Sequence, residues 1–344
     1  MSDPGLIFRP GPAGWWDSFS VSSPQVLREE DGTWKMWYYG RDTAWNRAIA
    51  GTDGRSGLAV SADGIRWERV RGPLTLGAVL EPSSDPARFD SAHVGVTCVL
   101  RFDGLYWMWY LGGDWSPTLW DGVERIGIPY FIGCAISRDG LHWTKLLGPY
   151  RGAVLPLGGP GEFDELSATY GRVVRLPNGE WRLYYHGLHP TRGARIGLAV
   201  SGDGLHWEKC GQILGNGERG RFDERGVSCR AVIPFQSGWL MFYEGSNFAN
   251  YYAVGVATSP DGLRWTKEAG DEAGGAVLAP SPSGSGRFDS QAVGTPCVVP
   301  MDDGSLRLYY VGGPERRAGA DYRQAIGLAV SDGTNYRRWH RWEP

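Results

Sequence analysis

One pattern recurs five times along this chain and leaves few folds open to it. An aromatic residue followed by Asp leads into a Val-rich run, then Tyr-x-Gly, then an apolar run closing on Ser-x-Asp-Gly-x-x-Trp. The opening pair stands at Trp16-Asp17, Phe89-Asp90, Phe163-Asp164, Phe222-Asp223 and Phe288-Asp289. The closing element occupies 61–67, 137–143, 201–207 and 259–265, then decays to Ser331-Asp332-Gly333 with Trp339 beyond. Recurrence at roughly 55 to 75 residues marks stacked copies of one supersecondary unit.

Within each copy, short runs rich in Val, Trp, Tyr and Ile alternate with Gly, Asp and Asn turns, which is strand chemistry. In the second copy the four runs are 93–101, 106–111, 132–137 and 143–146. Asp103-Gly104, Asp139-Gly140, Asn178-Gly179 and Asp303-Gly304 are tight hairpin signals. Four antiparallel strands repeated radially make a β-propeller. The expectation is therefore an all-β, five-bladed β-propeller filling the chain as one domain, with blades at about 16–80, 89–155, 163–214, 222–278 and 288–344. An apolar stretch ending in Pro precedes the next aromatic-Asp pair, as in Val79-Leu80-Glu81-Pro82, Val154-Leu155-Pro156 and Val277-Leu278-Ala279-Pro280. Leu6-Ile7-Phe8-Arg9-Pro10 is the same element at the start of the chain. It should lie against the last blade, near Trp339 and Trp342, and close the ring without leaving an open sheet edge.

The bulk properties exclude several partners. The net charge is −3 with acids and bases interspersed, so no basic stripe marks a nucleic-acid or anionic-membrane surface. No apolar run approaches the ~20 residues of a membrane span. The first residues carry no secretory leader pattern. Cys98, Cys134, Cys210, Cys229 and Cys297 are odd in number and not closely spaced, which argues against a zinc site or a disulfide framework. A reducing, cytoplasmic setting is expected, with no cofactor and no metal.

Internal repetition separates framework from function. Residues kept in all five copies read as structural: the Asp of the aromatic-Asp pair as a cap on turn amides, the Trp of the closing element as packing between blades. In a four-strand meander the loops between the second and third strands share one face with the start of the first strand. Those loops are long here, at 41–56, 113–131, 188–195, 246–252 and 313–324, so the site is expected at that mouth of the axial channel. The x of Tyr-x-Gly is Tyr39, Leu111, His186, Glu244 and Val311, and the ionisable His186 and Glu244 break the pattern. On the first strands, His93 is the ionisable residue in the row Ser20, His93, Ser167, Gly226 and Ala292. Tyr170, Arg172 and Arg230 are unusual on innermost strands and suit an anionic ligand group or a carboxylate partner. The loops add Asp42, Trp45, Asp114, Trp115, Trp120 and Asn247, flat apolar faces beside polar groups, which suit a sugar or an aromatic ligand.

These features resemble the five-bladed arabinanase/levansucrase/invertase-like superfamily, which includes glycoside hydrolase families 43 and 32. The chain is also similar over its full length to plant plastid and bacterial proteins carrying the same repeat. The resemblance implies three acids converging at the axis: a base or nucleophile on the first blade, a modulating Asp on the second, and a general acid Glu on a later blade. Ser23 and Val96 occupy the corresponding inner positions, and neither can serve as a base. Glu244 matches the acid, and Asp42 or Asp114 could substitute from the loops.

The functional expectation is glycoside hydrolysis or transfer on a small ligand in the axial pocket. Glu244, His93, His186, Asp42 and Asp114 would be catalytic; Tyr170, Arg172, Arg230, Trp45, Trp115, Trp120 and Asn247 would bind substrate. Two other readings remain open on the same scaffold. One is a non-glycosidase enzyme using His/Glu/Tyr/Arg acid–base chemistry on a small aromatic or anionic metabolite. The other is a carbohydrate-binding propeller without catalysis.

Overall fold

The computed structural model describes residues 3–44, 53–120, 122–314 and 323–343, apart from the side chains of Trp120, Cys229 and Arg230. It is all-β, and among the described residues no helix is long and apolar enough to cross a membrane. A short strand β1 (Leu6–Phe8) precedes five four-stranded antiparallel meanders.

The first unit is β2 (Ser20–Arg28), β3 (Trp34–Arg41), β4 (Arg55–Ser61) and β5 (Glu68–Val70). The second is β6 (His93–Phe102), β7 (Leu105–Gly113), β10 (Phe131–Ser137) and β11 (Thr144–Leu146), with a side hairpin β8 (Thr118–Trp120) and β9 (Val123–Arg125) in its long loop. The third is β12 (Ser167–Arg175), β13 (Trp181–His189), β14 (Gly193–Ser201) and β15 (Glu208–Leu214). The fourth is β16 (Gly226–Phe235), β17 (Gly238–Ser246), β18 (Tyr252–Ser259) and β19 (Thr266–Glu268). The fifth is β20 (Ala292–Pro300), β21 (Leu306–Gly313), β22 (Ala325–Asp332) and β23 (Asn335–Arg341). The first strands pack in a cycle: β2 on β6, β6 on β12, β12 on β16, β16 on β20, and β20 back on β2.

The repeat explains how each unit holds its neighbour. The residue before each Tyr-x-Gly is large and aromatic, and it meets edge-on the closing Trp of the next unit. The pairs are Trp37–Trp143, Trp109–Trp207, Tyr184–Trp265, Phe242–Trp339 and, closing the cycle, Tyr309–Trp67, with centroids 5.6 to 6.5 Å apart. Four of these side chains also donate to the carbonyl of the turn Gly in that next unit: Trp37 to Gly140, Trp109 to Gly204, Tyr184 to Gly262 and Tyr309 to Gly64. Edge-on aromatic pairs are worth about 0.5–1.5 kcal/mol each beyond their burial.

Inside each unit the aromatic-Asp pair locks the sheet. Its ring lies over two glycines, so neither can carry a side chain. A Cβ at Gly187 would stand 2.3 Å from the Phe163 ring, and one at Gly197 would stand 2.5 Å from it. The carboxylate is structural, as expected, but its bonds differ from the expected turn cap. It accepts the Tyr-x-Gly hydroxyl in every unit, from Tyr38, Tyr110, Tyr185, Tyr243 and Tyr310, at 2.9 to 3.0 Å. It also pairs with an outer-strand cation: Arg69, Lys145, Lys209, Lys267 and Arg341, at 2.5 to 2.7 Å. These five aspartates are at most 2% exposed. A buried charge needs such a partner, and the repeat supplies both halves from within one unit.

Ring closure follows the sequence expectation. β1 pairs with β22 at Leu6–Gly327 and Phe8–Ile326, along the edge that β23 occupies further on. Gly5 N–H donates to the Trp342 carbonyl at 2.7 Å. The segments Val79-Leu80 and Val277-Leu278 bond to β4 and β18 in the same way.

Candidate functional site

Every first strand breaks its ladder register near the mouth of the ring. The breaks fall between Ser22 and Gln25, Val96 and Cys98, Thr169 and Arg172, Cys229 and Ala231, and Gly294 and Cys297. Such bulges bend a strand and re-aim its side chains and amides. At three of them a residue with a side chain takes left-handed backbone: Ser23 at φ 50, Tyr170 at φ 48 and Thr295 at φ 44. Each of these conformations costs on the order of 1–3 kcal/mol and persists because the surrounding sheet imposes it.

Side chains alternate along a strand, so the x of Tyr-x-Gly points away from its buried Tyr and toward the next unit. Tyr39 lies against Gly95 of the second unit, where a Cβ would stand 2.7 Å from the ring. His186 Nδ1 is 2.8 Å from Ser228 Oγ of the fourth unit. Glu244 Oε2 accepts the Thr295 N–H of the fifth unit at 2.8 Å, an amide that the bulge turns away from the ladder. A Cβ at Gly294 would stand 2.1 Å from that same oxygen. The repeat-breaking Glu244 and His186 are therefore each received by a small residue on the neighbouring first strand.

A second group gathers between the first and second units. His93, at the start of β6, is 2% exposed and sits edge-on to Tyr39, with centroids 5.4 Å apart. The Tyr130 ring lies beside it at 5.6 Å. The Arg41 guanidinium stands over the Tyr39 ring at 5.3 Å. Burial first, then the Arg41 charge, hold the His93 pKa well below the usual histidine range, so its ring is neutral at physiological pH. Burial, reinforced by Tyr170, pushes the Tyr130 phenol up to about 12. Tyr39 is raised further, by burial and by the Tyr130 and Tyr170 phenols, against the opposing pull of Arg41. Tyr170 also faces His186, with centroids 5.9 Å apart, which links this wall to the third unit.

Arg172 lies one layer below the bulges. Its Nη1 reaches Gln25 Oε1 of the first unit at 3.4 Å, spanning from the third unit to the first. Burial raises the Cys98 and Cys297 thiols in this layer, and the Arg172 charge partly offsets that for each. Arg172 thus ties the first strand of the third unit to that of the first.

The loop residues are placed differently. Asp42 Oδ1 accepts the Ala44 N–H at 2.9 Å, and its other oxygen is 3.9 Å from Arg55. Asp114 accepts the Ser116 N–H at 2.9 Å and the Arg151 guanidinium at 2.5 Å. Burial opposes its ionisation, but these bonds outweigh burial and hold its carboxyl below the usual range. Asn247 Oδ1 is engaged by the Ala249 and Tyr251 amides of its own loop. Trp115 is 50% exposed and donates to the Ser91 carbonyl. Trp45 lies outside the described residues, as do the side chains of Trp120 and Arg230. Among the described residues, no group of three or more His, Cys, Asp or Glu is arranged to hold a metal ion.

The repeat singles out Glu244, His186, His93, Tyr170 and Arg172 among these residues, whereas Tyr130, Ser228 and the Thr295 amide are not marked by it. Tyr130 carried one usable signal: it is a Tyr outside Tyr-x-Gly, at the end of the longest loop on the mouth face.

No protein-family model matches the chain. It is 29% identical over 246 residues to the uncharacterized protein Rv1502 of Mycobacterium tuberculosis H37Rv, covering 70% of this chain and 72% of that protein. Solved structures align over nearly its whole length. A glycosyl hydrolase from Bacteroides ovatus matches with a TM-score of 0.68 at 19% identity, covering 100% of this chain and 97% of that one. The structure of BT0996 in complex with RGII matches at 0.69 and 18%, covering 100% and 96%. The β-1,2-mannobiose phosphorylase of Listeria innocua matches at 0.66 and 14%, covering 94% and 93%. What is shared is the fold. It is the propeller-type fold of glycoside-hydrolase-like proteins, a broader relationship than the arabinanase and invertase families that the repeat resembles.

Proposed function

We propose that this protein acts on a glycoside at the mouth of its ring, by hydrolysis or transfer, with Glu244 as the proton-transferring carboxyl. The observation that carries this reading is the seat of Glu244: a carboxylate near the end of β17, fixed by a bulge amide of the neighbouring unit, on the fold of glycoside-hydrolase-like proteins. Glycosidases of the two-carboxylate type need an acid and a base or nucleophile about 5–10 Å apart. Asp42 and Asp114 each spend their oxygens on an arginine and a loop amide, so in this reading they shape the mouth and do not act as the base. His186, oriented by Ser228, and the neutral His93 hydrogen-bond the sugar. Tyr39, Tyr130 and Tyr170 offer faces to its ring, with Trp45, Trp115 and Trp120 further out.

A second reading, acid–base chemistry on a small aromatic or anionic metabolite, draws on the tyrosine–histidine–arginine wall between the first and second units. A panel of aryl glycosides and oligosaccharides, with and without inorganic phosphate, tests the first reading. Turnover should fall at least ~100-fold in Glu244→Gln while binding persists. Full activity in both Glu244→Gln and His93→Ala would sink the assignment. Binding without turnover in the wild type would favour a carbohydrate-binding propeller.

A further inference from the structure

Glu244 stands at the junction of the fourth and fifth units. Across the ring, the wall between the first and second units is built from hydrogen-bond donors: the Arg41 guanidinium, the Tyr39 and Tyr130 phenols and the His93 imidazole. Arg125, the last residue of β9, joins Arg41 in acting on the Tyr130 phenol. Among the described residues the charged groups that act on His93 and Tyr130 are cations. His93 Nδ1 is buried with no hydrogen-bond partner among the described residues. Buried polar atoms are normally satisfied, so unsatisfied ones call for an occupant. Guanidinium and phenol groups are donors that suit an oxyanion, and arginine grips one in a planar, two-bonded arrangement.

We propose that the wall of Tyr39, Arg41, His93, Arg125 and Tyr130 holds an oxyanion carried by the ligand, a carboxylate or a phosphate ester. Combined with the glycoside reading on which this part rests, the ligand is an acidic sugar. Its neutral hydroxyls face the third and fourth units, and its charged substituent faces the first and second.

Calorimetric titration tests this with glucuronate, galacturonate, glucose 6-phosphate, their neutral parents glucose and galactose, inorganic phosphate, and benzoate as a carboxylate that is not a sugar. The acidic sugars should bind roughly 10- to 100-fold tighter than their neutral parents, the scale of one or two charge-assisted hydrogen bonds. Uronate against sugar phosphate identifies which oxyanion is preferred. Arg41→Gln should abolish the preference, so that acidic and neutral sugars bind it with equal affinity. Arg125→Gln should reduce it and provides the same test if Arg41→Gln does not fold. Neutral and acidic sugars binding equally to the wild type would overturn the oxyanion wall and leave the glycoside reading standing. Benzoate binding that depends on Arg41, with no sugar binding, would support the wall and remove the glycoside reading. Inorganic phosphate binding with no preference among the sugars would overturn the proposal that the oxyanion belongs to the ligand.

Discussion

Replacing Lys267 by Met isolates what the repeated Asp–Tyr–cation lock is worth. In the fourth unit Asp223 is 2% exposed, and its Oδ2 receives Lys267 Nζ at 2.5 Å and the Tyr243 hydroxyl at 3.0 Å. Methionine keeps much of the apolar stem and removes the charge. Breaking one partner of a buried pair costs about 3–5 kcal/mol, because the remaining charge is left uncompensated. The Lys267 side chain is 24% exposed, so water recovers part of that cost, and a loss of about 3 kcal/mol is expected. The same change at Lys145 should cost less, about 1–2 kcal/mol, because Arg88 remains on Asp90 at 3.1 Å. Urea denaturation followed by tryptophan fluorescence reads both. Adding Asp223→Asn to Lys267→Met should restore part of the loss, since the stranded charge is gone. A loss below about 1 kcal/mol for Lys267→Met, or a larger loss for Lys145→Met than for Lys267→Met, would refute the argument that the cation neutralises a buried carboxylate.

Two further outcomes follow from the same geometry. Gly294→Ala should leave thermal stability within a few degrees of wild type yet cut turnover or ligand affinity at least ~10-fold. The new Cβ displaces only the movable end of Glu244 and its bond to Thr295, whereas Gly312→Ala drives into the Phe288 ring at 2.3 Å and should destabilise severely; melting curves and binding titrations separate the two. The Asp90 carboxyl is held below its usual range: burial opposes this, but Lys145, Arg88 and the Tyr110 hydroxyl outweigh it. Its folded pKa lies below its unfolded value, so its stabilisation is complete above about pH 4 and is lost as pH falls through the folded value. Urea midpoints between about pH 2 and 6 should show this loss in the wild type and a smaller one in Lys145→Met.

The fold was legible because the residues that build it recur. Five copies of aromatic-Asp and Tyr-x-Gly, four of them closing on Ser-x-Asp-Gly-x-x-Trp, state a local rule again and again. Even the displaced strand β1 could be placed by its likeness to Val79-Leu80 and Val277-Leu278. The bonding of the repeated Asp was not legible. Its cation lies about 45 to 55 residues downstream on the outer strand, where a Lys or Arg reads as ordinary solvated surface. In the site, Glu244 and His186 stood out as breaks in the repeat. Tyr130 and Arg125 did not, because the corresponding loops differ in length and sequence from copy to copy, so no aligned position sets these two apart. Ser228 and the Thr295 amide matter through what they touch in an adjacent unit, and no spacing rule within one copy reveals that. Asp42 and Asp114 looked available as loop carboxylates, while their engagement by Arg55 and Arg151 depends on how the loops fold.

The seats of Tyr39, His186 and Glu244 are each split across a unit boundary, and this constrains how such a site can change over evolutionary time. Tyr39 needs Gly95, His186 leans on Ser228, and Glu244 requires both Gly294 and the Thr295 amide. Exchange of a whole repeat by recombination would carry one member of each pair and leave the other behind. New specificities should therefore arise by coupled substitutions at the seams between repeats, and chimeras cut in the middle of a unit should preserve binding better than those cut at its edges.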